Sequence, residues 1–267
     1  MNGMTNKVGM TITQLPTGTY ATPAALAVRG GSFRDRRDFT ATAVLIEHPD
    51  GDLLIDAGFG RDAGAHIASL PFYRRSAHTL GPTAAAQLDA HGYDRSRLLG
   101  VLVTHTHWDH VSGLDSLDVP VWINDDELAY ARKATSDRVF ATVAAGHELR
   151  TYRFDGPAHL GFPASHDVYG DGSVVIVPAA GHTTGSIIVF VTAPGDRRYA
   201  FIGDLTWQLD GITEHAERPL LMRYLADSDA RQVRADLARI IAIADRYQIV
   251  PAHDARGYRG IPVLAPR

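Results

Sequence analysis

The segment His105-Thr106-His107-Trp108-Asp109-His110 holds three imidazoles and a carboxylate within six residues. Imidazole nitrogen and carboxylate oxygen are ligands for divalent transition metals. In extended backbone, residues two apart point the same way, so His105 and His107 can reach one metal together. Asp109 and His110 follow where the chain must turn and can address a second ion beside the first. A single histidine is usually structural or merely exposed, but this density makes a polar surface loop a poor account of the segment. The chain contains no cysteine. That removes disulfides, thiolate nucleophiles and thiolate metal sites together, and leaves imidazole and carboxylate to hold any ion.

Such ligands need rigid supports, and the sequence supplies them. Leu98-Leu99-Gly100-Val101-Leu102-Val103-Thr104 reads as a buried strand that runs straight into His105. Val174-Val175-Ile176-Val177 is another, ending in the glycine-bracketed loop Pro178 to Ser186 with His182. Arg198 to Ile202 leads into Gly203-Asp204, and Gln248 to Val250 into Pro251-Ala252-His253-Asp254. Taken alone, each of His182, Asp204 and His253 would more often be structural than a ligand. Together they make four strand-end sites, which is where open α/β folds place their ligands.

Further strands are expected at Thr40 to Glu47, Asp52 to Asp56, Pro120 to Ile123 and Ser186 to Val191. The turn chemistry of His48-Pro49-Asp50-Gly51 makes Thr40 to Asp56 a hairpin. Helices are expected from Thr83 to His91, bracketed by Pro82 and Gly92, and after Asn124, where Asp125, Asp126 and Glu127 begin a segment ending in Arg132 and Lys133. Ser228 is expected to cap a third, with Val233, Leu237, Ile240, Ile241 and Ala244 as its apolar stripe. Strands mixed with helices, without repeats or a linker, indicate an α/β layered sandwich in one domain spanning 1–267.

With 267 residues, 45% hydrophobic and 21% charged, the chain can bury a sizeable core. A formal charge of -4 provides no basic field for a phosphate backbone, so no nucleic-acid partner is expected. No apolar run approaches the ~20 residues of a membrane helix. Residues 1 to 31 lack a basic start followed by an apolar core, so a cytoplasmic location and no membrane association are the default expectation.

The order H-x-H-x-D-H, G-H-T-x-G-S, G-D and a C-terminal H resembles the metallo-β-lactamase superfamily, with matching patterns from about Thr40 to Asp254. Leu53-Leu54-Ile55-Asp56-Ala57-Gly58 resembles that family's early L-I-D-x-G element. The resemblance implies a four-layer αββα sandwich and two divalent ions, zinc by family habit and manganese or iron by donor chemistry. It assigns His105, His107 and His182 to the first ion, Asp109, His110 and His253 to the second, and Asp204 to both. Asp56 and Thr183 become the candidates to orient the imidazoles.

The implied reaction is hydrolysis. Two ions ~3.5–4 Å apart can hold a bridging hydroxide and polarise a carbonyl, with Asp109 or the metal at the leaving group assisting proton transfer. His107 separates the chain from flavodiiron-type members, which resemble one another in carrying Glu there, and Asp204 separates it from true β-lactamases. The His253-Asp254 ending and the short interval from His182 to Asp204 look like the acyl-homoserine-lactone lactonases, which makes lactone opening, or cleavage of a related ester, the expected reaction. Those lactonases typically carry Tyr three residues after the bridging Asp, where this chain has Trp207. An indole N–H donates one hydrogen bond but is no phenolic acid. Either Trp207 itself or Tyr224 is the candidate replacement, and Trp108, Trp207 and Tyr224 are the expected substrate contacts. Residues 207 to 226 and Phe33 to Phe39, with Arg34, Arg36 and Arg37, could wall the site, although ordinary packing for the former and a solvated charge run for the latter are the slightly simpler account. The partner is a small molecule, with a homodimer left open. The rival readings are a phosphodiesterase or thioesterase of the same family, and a binding protein that keeps the fold without catalysis.

Overall fold

The structure is a computed structural model that describes residues 9–71, 73–133 and 138–266. The α/β expectation holds. β1 (Thr11–Pro23), β2 (Arg36–Glu47), β3 (Asp52–Ile55), β4 (His78–Leu80), β5 (Leu98–Leu102), β6 (Val121–Asn124) and β7 (Leu149–Tyr152) form a seven-stranded sheet in the order β4-β1-β2-β3-β5-β6-β7. A five-stranded sheet in the order β12-β11-β10-β9-β8 contains β8 (His166–Asp167), β9 (Val174–Pro178), β10 (Ile187–Ala193), β11 (Arg197–Phe201) and β12 (Gln248–Val250).

Alternation along the strands divides the apolar side chains between layers. On β2, Val44 and Ile46 face the inter-sheet core, where they join Ile55, Leu102, Ile176 and Val189. Ala41, Ala43 and Leu45 face the other way and meet Ile67 and Leu88 from covering helices. On β10, Ile188 and Phe190 leave the inter-sheet core to meet Val233, Leu237 and Ile240 of the helix Ala230–Ile241. Helix, sheet, sheet and helix therefore stack as four layers.

The hairpin forms as expected, with Val44 opposite Ile55 and Leu45 opposite Leu54. Several boundaries differ by a residue or more, and three have a local cause. β2 starts at Arg36 rather than Thr40, because Arg36 to Phe39 pair with Pro23 to Tyr20 of β1. The last helix is capped by Asp229, whose carboxylate accepts from the amides of Arg231 and Gln232, and not by Ser228. Ser186 precedes β10 instead of opening it. Its hydroxyl lies 3.0 and 3.1 Å from the carbonyls of Ala179 and Thr183, which makes it a brace for the His182 loop. Among the described residues, no helix is long and apolar enough to cross a membrane.

Candidate metal centre

Every chemical side chain singled out in the motifs emerges at the C-terminal end of a strand. After β5 the chain passes Thr104 and His105 and enters a single helical turn, Trp108–Val111, which turns Asp109 and His110 inward. The loops after β9, β11 and β12 deliver His182, Asp204 and His253. The ends of both sheets thus meet in one buried cage. His105, His107, His182 and Asp204 offer one group of converging ligand atoms, and Asp109, His110 and His253 a second, with the atoms of each group within 4.8 Å of one another.

The Asp204 carboxylate lies between the groups. Its Oδ2 is 3.8 Å from His105 Nε2 and 3.4 Å from His182 Nε2. Its Oδ1 is 3.3 Å from His110 Nε2 and 3.0 Å from His253 Nε2. The positive φ of 50° at Gly203, directly before it, makes the corner that aims this carboxylate inward.

The rings turn particular nitrogens into the cage because their other nitrogens are engaged outside it. His110 Nδ1 meets Asp56 Oδ2 at 2.7 Å. His182 Nδ1 meets Asp227 Oδ1 at 3.2 Å, and His253 Nδ1 donates to the Thr40 carbonyl at 2.8 Å. These acceptors keep the proton on Nδ1 and leave the Nε2 lone pair facing inward. His105 Nδ1 lies 3.2 Å from the Thr104 hydroxyl, and His107 Nε2 3.2 Å from the Tyr130 hydroxyl. Inside the cage, His107 Nδ1 and His182 Nε2 are 2.9 Å apart, His110 Nε2 and His253 Nε2 are 3.3 Å apart, and the buried His105 Nε2 has no hydrogen-bond partner. Converging lone pairs and an orphaned buried nitrogen, together with carboxylates and no sulfur, fit a divalent cation of zinc, manganese or iron type.

The electrostatics follow from burial and from the carboxylates. Burial, reinforced by the neighbouring His110, drives His105 well below the ordinary imidazole range. At His110 burial acts downward too, but Asp56 and Asp204 outweigh it and hold the ring well above that range. His253 is raised in the same manner, with Asp204 and Asp109 overcoming burial. Asp204 is held well below the carboxylate range because His253 and His110 outweigh the effect of its burial.

Of the two expected orienting residues, Asp56 touches an imidazole. It has φ 55° and also accepts from the Thr104 amide and hydroxyl at 2.7 and 2.9 Å. Thr183 does not: its hydroxyl donates to Glu127 Oε2 at 2.5 Å, and Asp227 takes the place expected for it beside His182. Glu127 is a further residue that the sequence conceals. It also accepts from the Thr106 amide and hydroxyl and the Gly185 amide, tying two ligand loops together. Tyr20, from β1, donates to Asp109 Oδ2 at 2.7 Å and packs its ring against Phe39, Trp108 and His253.

The three expected substrate contacts are placed differently. Trp207 reaches the cage, where its Nε1 donates to Asp204 Oδ2 at 2.9 Å. Trp108 is buried behind the cage against Phe59 and Tyr73. Tyr224 is 85% exposed on the helix Leu220–Ala226, so the structure does not bring it to the cage as a stand-in for the missing phenol. Phe39 stacks on His253, whereas Phe33 is exposed, and Arg37 is paired with Asp210.

A sandwich of this topology with a histidine and aspartate cage between its strand ends has the donors of a metal-dependent enzyme. The chain belongs to the metallo-beta-lactamase superfamily, whose family model matches residues 36–253. It is 30% identical over 234 residues to the probable metallo-hydrolase Rv2300c of Mycobacterium tuberculosis, covering 81% of this chain and 75% of that protein. It is 27% identical over 222 residues to the human acyl-coenzyme A thioesterase MBLAC2, covering 78% and 71%. Its fold matches that of an N-acyl homoserine lactone hydrolase with the product N-hexanoyl-L-homoserine at its metal centre, with a TM-score of 0.75, 14% identity and coverage of 94% and 96%.

Proposed function

We propose that the chain is a two-metal hydrolase that opens lactones or cleaves related carboxylic esters. The observation that carries this reading is the Asp204 carboxylate, which turns one oxygen to each donor group. A carboxylate shared in that way would hold two neighbouring ions close together. His105, His107 and His182 are assigned to one ion, Asp109, His110 and His253 to the other, and Asp204 to both. The nitrogen and oxygen donors favour zinc, with manganese or iron as alternatives. Ions bound there would supply a hydroxide nucleophile at neutral pH and polarise the scissile carbonyl.

The remaining work falls to the chain. Asp109, which accepts the Tyr20 hydroxyl, is assigned to move the proton to the leaving oxygen. Phe39, Tyr20 and Trp207 close the cage with aromatic surface, which excludes water and suits an acyl substrate. A phosphodiester would call for positive charge converging on the site. Among the described residues, Arg218 lies against the cage but is engaged by Asp227, and Arg37 is engaged by Asp210.

The thioesterase relative keeps an acyl thioester as the second reading. The test is metal analysis followed by turnover of lactones, acyl-coenzyme A thioesters, β-lactams and bis-p-nitrophenyl phosphate by wild type and Asp204→Ala. Metal-dependent lactone hydrolysis that Asp204→Ala loses is the expected result, and thioester turnover alone would favour the second reading. A protein with no metal-dependent turnover on any of these substrates is not the hydrolase proposed.

A further inference from the structure

We propose that Arg218 is a positioning residue of the cage, one guanidinium that fixes the shared carboxylate and the His182 ring together. The inference rests on the metal-dependent reading above and concerns how the chain pre-forms that site. Arg218 is 5% exposed. Its Nη1 donates to Asp227 Oδ1 at 2.6 Å, and that same oxygen meets His182 Nδ1. Its Nη2 donates to the backbone carbonyl of Asp204. Its planar face lies over the Trp207 ring, 4.4 Å from the centroid, and the Trp207 indole donates to Asp204 Oδ2. One side chain therefore controls the backbone of Asp204, the donor to its carboxylate, and the acceptor that orients His182.

The segment around it is tied to the same loop. Ser228 and Asp229 donate their amides to the carbonyls of His182 and Gly181 at 3.0 and 2.8 Å. Guanidinium is suited to this position because its rigid fork and flat face act in different directions at once, which an ammonium cannot do. Stability alone is a poor account of it. Taking a cation out of water costs several kcal/mol unless all its donors are satisfied, and Arg218 Nε has no partner. A well-packed apolar residue would suit a purely structural role at least as well.

The test is cobalt(II) titration of the chelator-stripped full chain, read by the visible absorption of the bound ion. Arg218→Met keeps the length and apolar stem of the side chain and removes the fork. It is expected to weaken cobalt binding by about 10- to 100-fold and to alter the absorption band, with circular dichroism matching the stripped wild type. Arg218→Lys restores the charge and is expected not to restore the spectrum. Trp207→Phe keeps a ring under the guanidinium, removes the indole donor and is expected to weaken binding in the same sense. Its effect should be far from additive with that of Arg218→Met, since both act on Asp204. Arg218→Lys, which loses the fork but keeps the charge, carries the test alone if Arg218→Met does not fold. Folded variants with wild-type cobalt affinity and spectrum would overturn the positioning role and leave the hydrolase reading intact. A wild type that takes up no cobalt would overturn both.

Discussion

Tyr20 brings a phenol to the cage from the first strand, where Trp207 occupies the position at which the lactonases that this chain resembles carry one. Its hydroxyl donates to Asp109 Oδ2 while Asp109 is 3.3 Å from His253 Nε2. Burial and the adjacent Asp109 carboxylate push the Tyr20 phenol well above its ordinary range, so its proton stays on the oxygen and points at the carboxylate. Tyr20→Phe keeps the ring that packs on Phe39, Trp108 and His253 and deletes only this donor. A hydrogen bond to a charged group contributes about 1.5–3 kcal/mol, so kcat/KM for the substrate turned over in the panel above should fall by about 10- to 100-fold. Steady-state kinetics on protein of equal metal content checks this. An unchanged kcat/KM would mean that Asp109 needs no help from the first strand.

The helix Asp125–Lys133 and the two ligand loops meet at a contact too close for a side chain. Glu127, in the first turn, accepts from Thr106 on one loop and from Thr183 and Gly185 on the other. An added Cβ at Gly185 would fall on the Glu127 backbone. Gly185→Ala must therefore push the His182 loop off the helix, at a cost of about 1–3 kcal/mol, visible as a lower urea midpoint. An unchanged midpoint would show that the loop has slack. In the helix Ala230–Ile241, burial raises the Asp236 carboxyl despite its bonds from Gln232 and Arg239. Between the unfolded carboxylate range, near about 4, and the raised folded value, the native state binds more protons, so stability falls as pH rises through that window. Asp236→Asn cannot ionise and should gain on wild type as pH rises through that window. Thermal melts across the window check this, and a constant difference would contradict it. The seven residues of the cage were legible in the sequence because they stand at four strand ends and in an order that resembles the metallo-beta-lactamase pattern, although His182, Asp204 and His253 say little singly. Among its supports Asp56 was legible from the L-I-D-x-G element, but the others were not, since Glu127 reads as an acidic helix start, Asp227 as one aspartate among many, and Tyr20 as part of a Thr-rich stretch. β1 was hidden by Pro16 and Gly18, where its pairing with β2 slips register. β7 and β8 are short, with few buried side chains to betray their period.

At the scale of the molecule, the cage joins the two sheets. Each donor group mixes ligands carried by the seven-stranded sheet (His105 and His107, or Asp109 and His110) with ligands carried by the five-stranded one (His182 and Asp204, or His253). A bound ion therefore crosslinks the layers, and its binding energy adds to the stability of the sandwich. With free metal about 100-fold above Kd this contributes about 2.7 kcal/mol, or roughly 5–10 °C in Tm. The effect has a defined pH dependence. Asp56 and Asp204 at His110, and Asp204 and Asp109 at His253, overcome burial and raise both imidazoles. In the metal-free protein, the stability that these protonated rings contribute is fully present below the ordinary histidine value, near about 6.5, and is lost as pH rises through the raised folded values. If His110 and His253 are ligands as proposed, metal must displace those same protons, and its stabilisation should grow over the same interval. Scanning calorimetry of stripped and zinc-loaded protein at about pH 6 and about pH 8 should show a Tm gap that widens with pH, with proton release on zinc addition. A gap that is constant or narrows would mean that His110 and His253 are not the rings the ions displace protons from.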